Sequence, residues 1–126
     1  MIVLDENIPE DQRQLLRSWR VRVHQIGDEV GRKGMKDDQI IPLLLKLAAP
    51  TFITRDFDFW DSELCHDRYC LVELDLNPDE TATFIRRVLR HRLSNTKAKR
   101  LGHVIRLDHL GMEVLTAHEP PVFQSW

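Results

Sequence analysis

The stretch Thr51-Phe52-Ile53-Thr54-Arg55-Asp56-Phe57-Asp58-Phe59 decides the fold. Its first four residues are β-branched or aromatic, which is the composition of a strand, and acids follow at once. Residues two apart in extended backbone share a side, so Thr54, Asp56 and Asp58 are expected to face one way while Phe57 and Phe59 face the core. A strand that delivers carboxylates from its carboxyl end is how open parallel sheets build ligand sites. The N-terminus repeats the arrangement: Ile2-Val3-Leu4 is a short apolar run of the kind covered on both faces in a parallel sheet, and it stops at Asp5.

Helical patterns alternate with these strands. Asn7 is a good N-cap and Pro9 suits a first turn, so Leu15, Leu16 and Trp19 define a helix ending near Trp19. Val21 to Ile26 reads as a second strand, and Gly27, Gly31 and Gly34 mark a loop after it. A helix beginning near Asp37 is nearly all apolar from Ile40 to Leu47, which predicts burial, although Pro42 fits it poorly unless the helix starts late or bends. Cys70 to Leu74 is a fourth strand. From Thr81 or Asp79 to about Leu93, Phe84, Ile85, Val88 and Leu89 form an inward stripe with arginines outside. His103 to Leu107 and Met112 to Thr116, separated by Asp108-His109-Leu110-Gly111, predict a C-terminal hairpin. The result is an α/β fold with a mainly parallel sheet flanked by helices. One domain over residues 1–118 is expected, with 119–126 reading either as a loose tail or as a segment that docks on a partner or a second subunit.

Composition excludes several classes. Charged residues at 30% and hydrophobic residues at 42% match ordinary globular proteins, which argues against disorder or a fibrous repeat. No apolar run approaches a membrane span and the first residues lack a basic signal-peptide start, so no membrane partner and a cytoplasmic location are expected. Cys65 and Cys70 match neither a zinc knuckle nor a redox pair, and the six histidines lack the spacing of a zinc site. The net charge of −2 offers no overall attraction to nucleic acid, yet Thr81 to Leu107 contains no acid and carries Arg86, Arg87, Arg90, Arg92, Lys97, Lys99, Arg100 and Arg106.

The chemistry-bearing residues are the aspartates. Asp5 follows the first strand, Asp56 and Asp58 the third, and Asp37 opens a helix, with Asp38 competing for the same place. Carboxylates crowded together raise one another's pKa unless a cation compensates them, and an oxygen-only set suits Mg²⁺ or Mn²⁺. Such an ion activates water and stabilises charge on a phosphodiester. Against this stands the plainer reading, in which each aspartate is a turn or cap residue. Glu6 reads as a surface or capping residue.

Leu4-Asp5-Glu6-Asn7-Ile8-Pro9, Asp37-Asp38-Gln39-Ile40 and the Thr54 to Phe59 segment together resemble the DUF5615 PIN-like family, over roughly residues 2–116. The resemblance implies a PIN-like three-layer sandwich, a Mg²⁺ or Mn²⁺ site and endoribonuclease activity, including a role as the toxin of a toxin-antitoxin pair with an antitoxin protein as partner. It implies Asp5, Asp37 and Asp56 as metal ligands and catalytic residues, with Asp58 binding a second ion or positioning water. Lys36 departs from the small polar residue more often found before the middle motif.

Substrate contacts are expected from the basic segment. Arg86, Arg87 and Arg90, with Lys97, Lys99 and Arg100 after them, read either as phosphate contacts to RNA or as a solvated helix face. Arg55 reads as a substrate contact or as a counter-charge to the acids. Phe59, Trp60 and Tyr69 read as core before base-stacking groups. Competing functions are a non-catalytic PIN-like module that binds RNA or protein, and a phosphatase or DNA nuclease on the same metal scaffold.

Overall fold

Short strands alternate with helices over the first hundred residues, and a computed structural model describing residues 1–126 assembles them into one seven-stranded sheet. The elements are β1 (Ile2–Leu4), α1 (Glu10–Ser18), β2 (Val23–Gln25), α2 (Asp37–Lys46), β3 (Thr51–Thr54), β4 (Cys70–Leu74), α3 (Thr81–Arg90), α4 (Lys97–Arg100), β5 (His103–Leu107), β6 (Gly111–Thr116) and β7 (Val122–Ser125). The sheet order is β2-β1-β3-β4-β5-β6-β7. The first five strands are parallel, while β5–β6 and β6–β7 are antiparallel. The fold is therefore α/β, with a mixed but mostly parallel sheet between helices. No helix is long and apolar enough to cross a membrane.

Strand alternation divides the core in two. Ile2, Leu4, Ile53, Val72, Ile105 and Leu107 face α1 and α3, whose Leu16, Phe84, Ile85 and Val88 cover them. Val3, Phe52, Leu71 and Val104 face the other way, toward Ile40 and Leu44 of α2. Each such fully buried side chain contributes about 1.5–3 kcal/mol relative to exposure, so these two layers provide most of the drive to fold.

Several expectations change. Asn7 does not cap α1, because Pro9 occupies the cap position and offers no side-chain acceptor. Pro42 lies inside α2 and is exposed, so the carbonyl it leaves unpaired at Asp38 can meet water. That helix is less buried than its composition suggests: only Ile40 and Leu44 are buried, with Ile41, Leu43 and Leu45 partly open. The extended alternation expected after β3 ends at Thr54. Asp56 accepts the Asp58 N–H at 2.9 Å and winds residues 57–59 into one 3₁₀ turn. Phe59 is buried as expected, but Phe57 is turned out to solvent. The last segment is not loose, since β7 pairs with β6 from Val114–Val122 to Gly111–Ser125. Trp126 then donates its indole N–H to the Asp108 carbonyl at 2.7 Å.

Buried polar side chains fix the loops between these layers. The Gln25 side-chain amide reaches the carbonyls of Asp5, Glu6 and Ile8 at 3.1, 3.3 and 3.0 Å, and its oxygen accepts from Arg13 at 3.2 Å. Arg13 in turn pairs with Asp28 and Glu29, both at 2.6 Å. Gln12 accepts the Ala82 N–H at 2.9 Å and thereby ties α1 to the start of α3. Arg100 is also structural, bonding Thr51 Oγ1 at 3.0 Å and the Ser94 carbonyl at 2.9 Å from a buried position.

Gln25→Leu should therefore destabilise the protein by about 1–3 kcal/mol, the range for stranding buried polar groups. Urea unfolding would measure it, with Gln14→Ala on the exposed face of α1 expected to stay within about 0.5 kcal/mol of the parent.

Candidate metal centre

The centre begins where β1 and β3 run out. The Asp5 N–H extends their ladder by donating to the Ile53 carbonyl at 2.9 Å, which holds the Asp5 backbone against the end of β3. The Thr54 hydroxyl donates to Asp5 Oδ2 at 2.7 Å and accepts the Asp56 N–H at 3.0 Å. One hydroxyl thus joins the two acidic strand ends. The other Asp5 oxygen accepts the Glu6 N–H at 2.8 Å. Desolvation raises the Asp5 pKa above the usual carboxylate value, while the bonds from Thr54 and Glu6 hold it back.

The third acidic element, the head of α2, arrives on the sheet face that Val3 and Phe52 present. Glu6 accepts the Gly34 N–H at 2.9 and 3.2 Å, drawing the glycine loop against the end of β1. Gly34 has φ of 78°, a left-handed conformation that lets the chain turn into α2 without a Cβ penalty. At the head of α2, the Gln39 side chain accepts the Lys36 N–H at 3.0 Å, and Asp37 and Asp38 occupy the first turn, where the helix dipole favours acids.

Asp37, Asp56 and Asp58 converge, each offering one carboxylate oxygen within 4.8 Å of the others. Around one Mg²⁺ ion at 2.0–2.1 Å, adjacent oxygens stand about 2.9 Å apart and opposite ones about 4.2 Å, so the three oxygens would have to draw together to share one ion. Asp37 has its pKa pushed up to about 6, first by desolvation, then by a hydrogen bond with Asp56 and repulsion from Asp56, Asp58 and Asp5. The donor set is oxygen only, which fits Mg²⁺ or Mn²⁺ better than zinc.

The aspartates are not equivalent. Asp37 rather than Asp38 enters the cluster; Asp38 lines a separate groove with Arg32, Gln39 and Lys46. Asp5 stands beside the three, close enough to repel Asp37 and to feel Asp56, but outside the tight set.

The expected cations lie elsewhere. Arg55 donates to the Leu76 carbonyl at 3.2 Å and makes no ion pair with the acids. Arg86, Arg87 and Arg90 lie along α3, on the sheet face opposite α2. Arg86 covers Trp19 at 3.7 Å from the ring centre, and Arg87 covers Phe84 at 4.5 Å. With His91 and Trp126 these arginines line a groove across the sheet from the carboxylates. Lys99 is engaged with the Arg92 carbonyl at 2.7 Å. Phe59 and Tyr69 are core.

Glu73 and Arg106, the latter read from sequence only as one of the basic residues between Thr81 and Leu107, also meet near this edge. Both lie one residue before the ends of their strands, and register carries the row from Thr54 to Glu73 to Arg106. Burial pushes the Glu73 pKa up to about 7 even though Arg106 opposes the shift. Glu73 breaks an otherwise apolar strand, Cys70-Leu71-Val72-Glu73-Leu74, and that break was the available signal.

Comparison of the chain with family models, curated proteins and solved structures finds no match.

The pH dependence of Asp37 has a definite sign. With its folded pKa raised above the unfolded value, the native state binds more protons between about pH 3.8 and 6, so stability falls as pH rises through that window. Asp37→Asn should then stabilise the protein at pH 7.5 in EDTA by up to about 1 kcal/mol after solvent screening, seen as a higher melting temperature, and confer no advantage near pH 3. Added Mn²⁺ should stabilise the parent and not the variant.

Proposed function

We propose that this chain is a metal-dependent endoribonuclease of PIN-like type. The observation that supports the reading best is the convergence of Asp37, Asp56 and Asp58, from a helix on one sheet face and the end of a central strand, at the carboxyl edge of the parallel strands. Asp37, Asp56 and Asp58 would hold Mg²⁺ or Mn²⁺, which when bound supplies water activation and charge stabilisation on a phosphodiester. The PIN-like resemblance of the three motifs points the same way.

The chain's own residues have separable tasks. Asp56 is fixed by the Thr54 hydroxyl at its N–H and by its cap on the following turn, so its direction is set before any ligand arrives. Asp5 has two of its acceptor sites taken by Thr54 and Glu6 and keeps others. With its proton affinity raised, it suits the role of acceptor for the proton released by an attacking water. Thr54 orients both acids at once. Arg86, Arg87 and Arg90 have no acidic partner and would serve RNA beyond the cleavage point, if the strand wraps around the sheet edge.

A second reading is a non-catalytic RNA-binding or protein-binding module. It is favoured by the hydrogen bonds Asp5 makes, which also suit a structural staple. Salt-dependent RNA binding without turnover would support it.

The deciding measurement is cleavage of RNA by the purified chain with Mn²⁺. Asp56→Asn and Asp37→Asn should each lower the rate about 100-fold or more, as the loss of a preorganised charge-stabilising group does. Cleavage at the parent rate by both variants would overturn the assignment.

A further inference from the structure

A polar row crosses the carboxyl edge of the sheet on the face that carries α2. Thr54 pairs in register with Glu73, Glu73 with Arg106, and Arg106 with Glu113. Two residues earlier on these strands, the same face presents Phe52, Leu71 and Val104, all buried. The row begins at the hydroxyl that joins Asp5 to Asp56 and leads away from the carboxylates to a guanidinium.

Arg106 is held there from two sides. Its Nε lies 3.2 Å from Glu73 Oε2 and its Nη2 lies 3.0 Å from Asp75 Oδ2. The Glu73 contact is an ion pair without an aligned hydrogen bond, and both of its atoms are otherwise unpartnered and buried. Glu73 itself is only 3% exposed. A buried pair of this kind gives little net stability, since desolvation offsets attraction, but it fixes where the guanidinium sits. Arg106 Nη1 makes no hydrogen bond within the protein, and the side chain is partly open to solvent.

The guanidinium also lies 5.1 Å from the ring centre of Phe57. Phe57 stands in the turn between Asp56 and Asp58 and is 56% exposed. The turn does not need it, because Asp56 forms the cap and Phe59 anchors the segment in the core. An exposed aromatic ring and an arginine with free donors therefore meet beside the turn that carries Asp56 and Asp58. Alternative roles account for less: a simple counter-charge for Glu73 leaves Phe57 without a purpose, and a packing role for Phe57 conflicts with its exposure.

We infer that Phe57 and Arg106 form a subsite for an unpaired nucleotide next to the carboxylates, with the base stacked on Phe57 and a phosphate held by Arg106. The ligand is single-stranded nucleic acid. A base within a duplex is already stacked on both sides and cannot offer its face to a side chain, whereas single strands are bound by aromatic platforms with cations along the backbone. Glu73 and Asp75 act as positioning residues for the guanidinium. The inference rests on the nuclease reading only for RNA as the natural substrate; the subsite itself is tested without cleavage.

The test is fluorescence anisotropy of a labelled RNA strand of about 12 nucleotides, bound to the full chain in EDTA. Phe57→Leu keeps an apolar side chain and loses the π face. Arg106→Gln combined with Glu73→Gln removes the guanidinium without leaving a buried carboxylate unpaired, and circular dichroism confirms the fold of each variant. Each change should weaken binding about tenfold, and loss of Arg106 should reduce the salt slope by about one. Arg22→Gln, which removes one positive charge just before β2, should stay within about twofold, where no such contact is made. The matching duplex should bind more weakly and be indifferent to Phe57→Leu.

Binding of the single strand within twofold of the parent by either variant, equal effects on the duplex, or no binding of the single strand at all would each overturn the subsite. Deoxyribonucleotide strands of the same sequence separate RNA from DNA as its source of bases and phosphates, equal affinity assigning the subsite to single strands of both kinds. Calorimetric titration of the parent and Asp56→Asn with Mn²⁺ alone tests the metal reading separately, so the two ideas fail by different results.

Discussion

The pairing of β1 with β3 is the interaction on which the rest of the site depends. The two strands run parallel with Ile2 beside Thr51 and Leu4 beside Ile53, although some fifty residues separate them in sequence. Their ends must then coincide, and the Asp5 N–H continues the ladder to the Ile53 carbonyl. Register of this kind is firmly specified because a slip of one residue would turn Val3 and Phe52 out of one core layer and Leu4 and Ile53 out of the other. The same packing that stabilises the sheet thereby brings Asp5 and Asp56 to one hydroxyl, Thr54.

Much of this was legible because burial on both faces leaves a plain mark. Ile2-Val3-Leu4 is a short apolar run, Thr51 to Thr54 and Cys70 to Leu74 are mainly β-branched, aromatic or aliphatic, and each is a strand with the expected limits. The closing hairpin of β5 and β6 was equally readable from its turn residues. Helix α2 also begins at the expected residue, since an acidic first turn followed by Gln39 marks a helix start in local chemistry alone. Asp37, Asp56 and Asp58 could be picked out for the same reason.

What escaped the reading depended on partners distant in sequence. Alternation placed Phe57 in the core, but the Asp56 side chain bonds its own backbone two residues on, and that local turn overrides the extended pattern. Val122 to Ser125 look loose alone and become a strand because β6 offers an unpaired edge. Arg100 looks like one more basic surface residue, yet Thr51 and the Ser94 carbonyl hold it inside. The choice between Asp37 and Asp38 was likewise not local: adjacent helical residues point about 100° apart, and only the end of β3 decides which of them meets the other acids.

The two sources of the clustered carboxylates differ in how firmly they are held. Asp56 and Asp58 belong to a turn anchored by Phe59, which packs edge-on against Phe52 at 5.4 Å, and by the Thr54 hydroxyl. Asp37 heads a helix that buries only Ile40 and Leu44 and carries a proline in its sixth position. Moving the turn would disturb the core, whereas a small shift of the helix start would cost few contacts. Any contraction around a shared Mg²⁺ would therefore fall to α2, with the glycine loop before it to absorb the change. Repulsion among unneutralised carboxylates opposes that contraction, and a divalent cation reverses the sign of the interaction. A rigid pair and a compliant third carboxylate would make a closed centre dependent on the ion, so that charge compensation and the final placement of Asp37 would be one event.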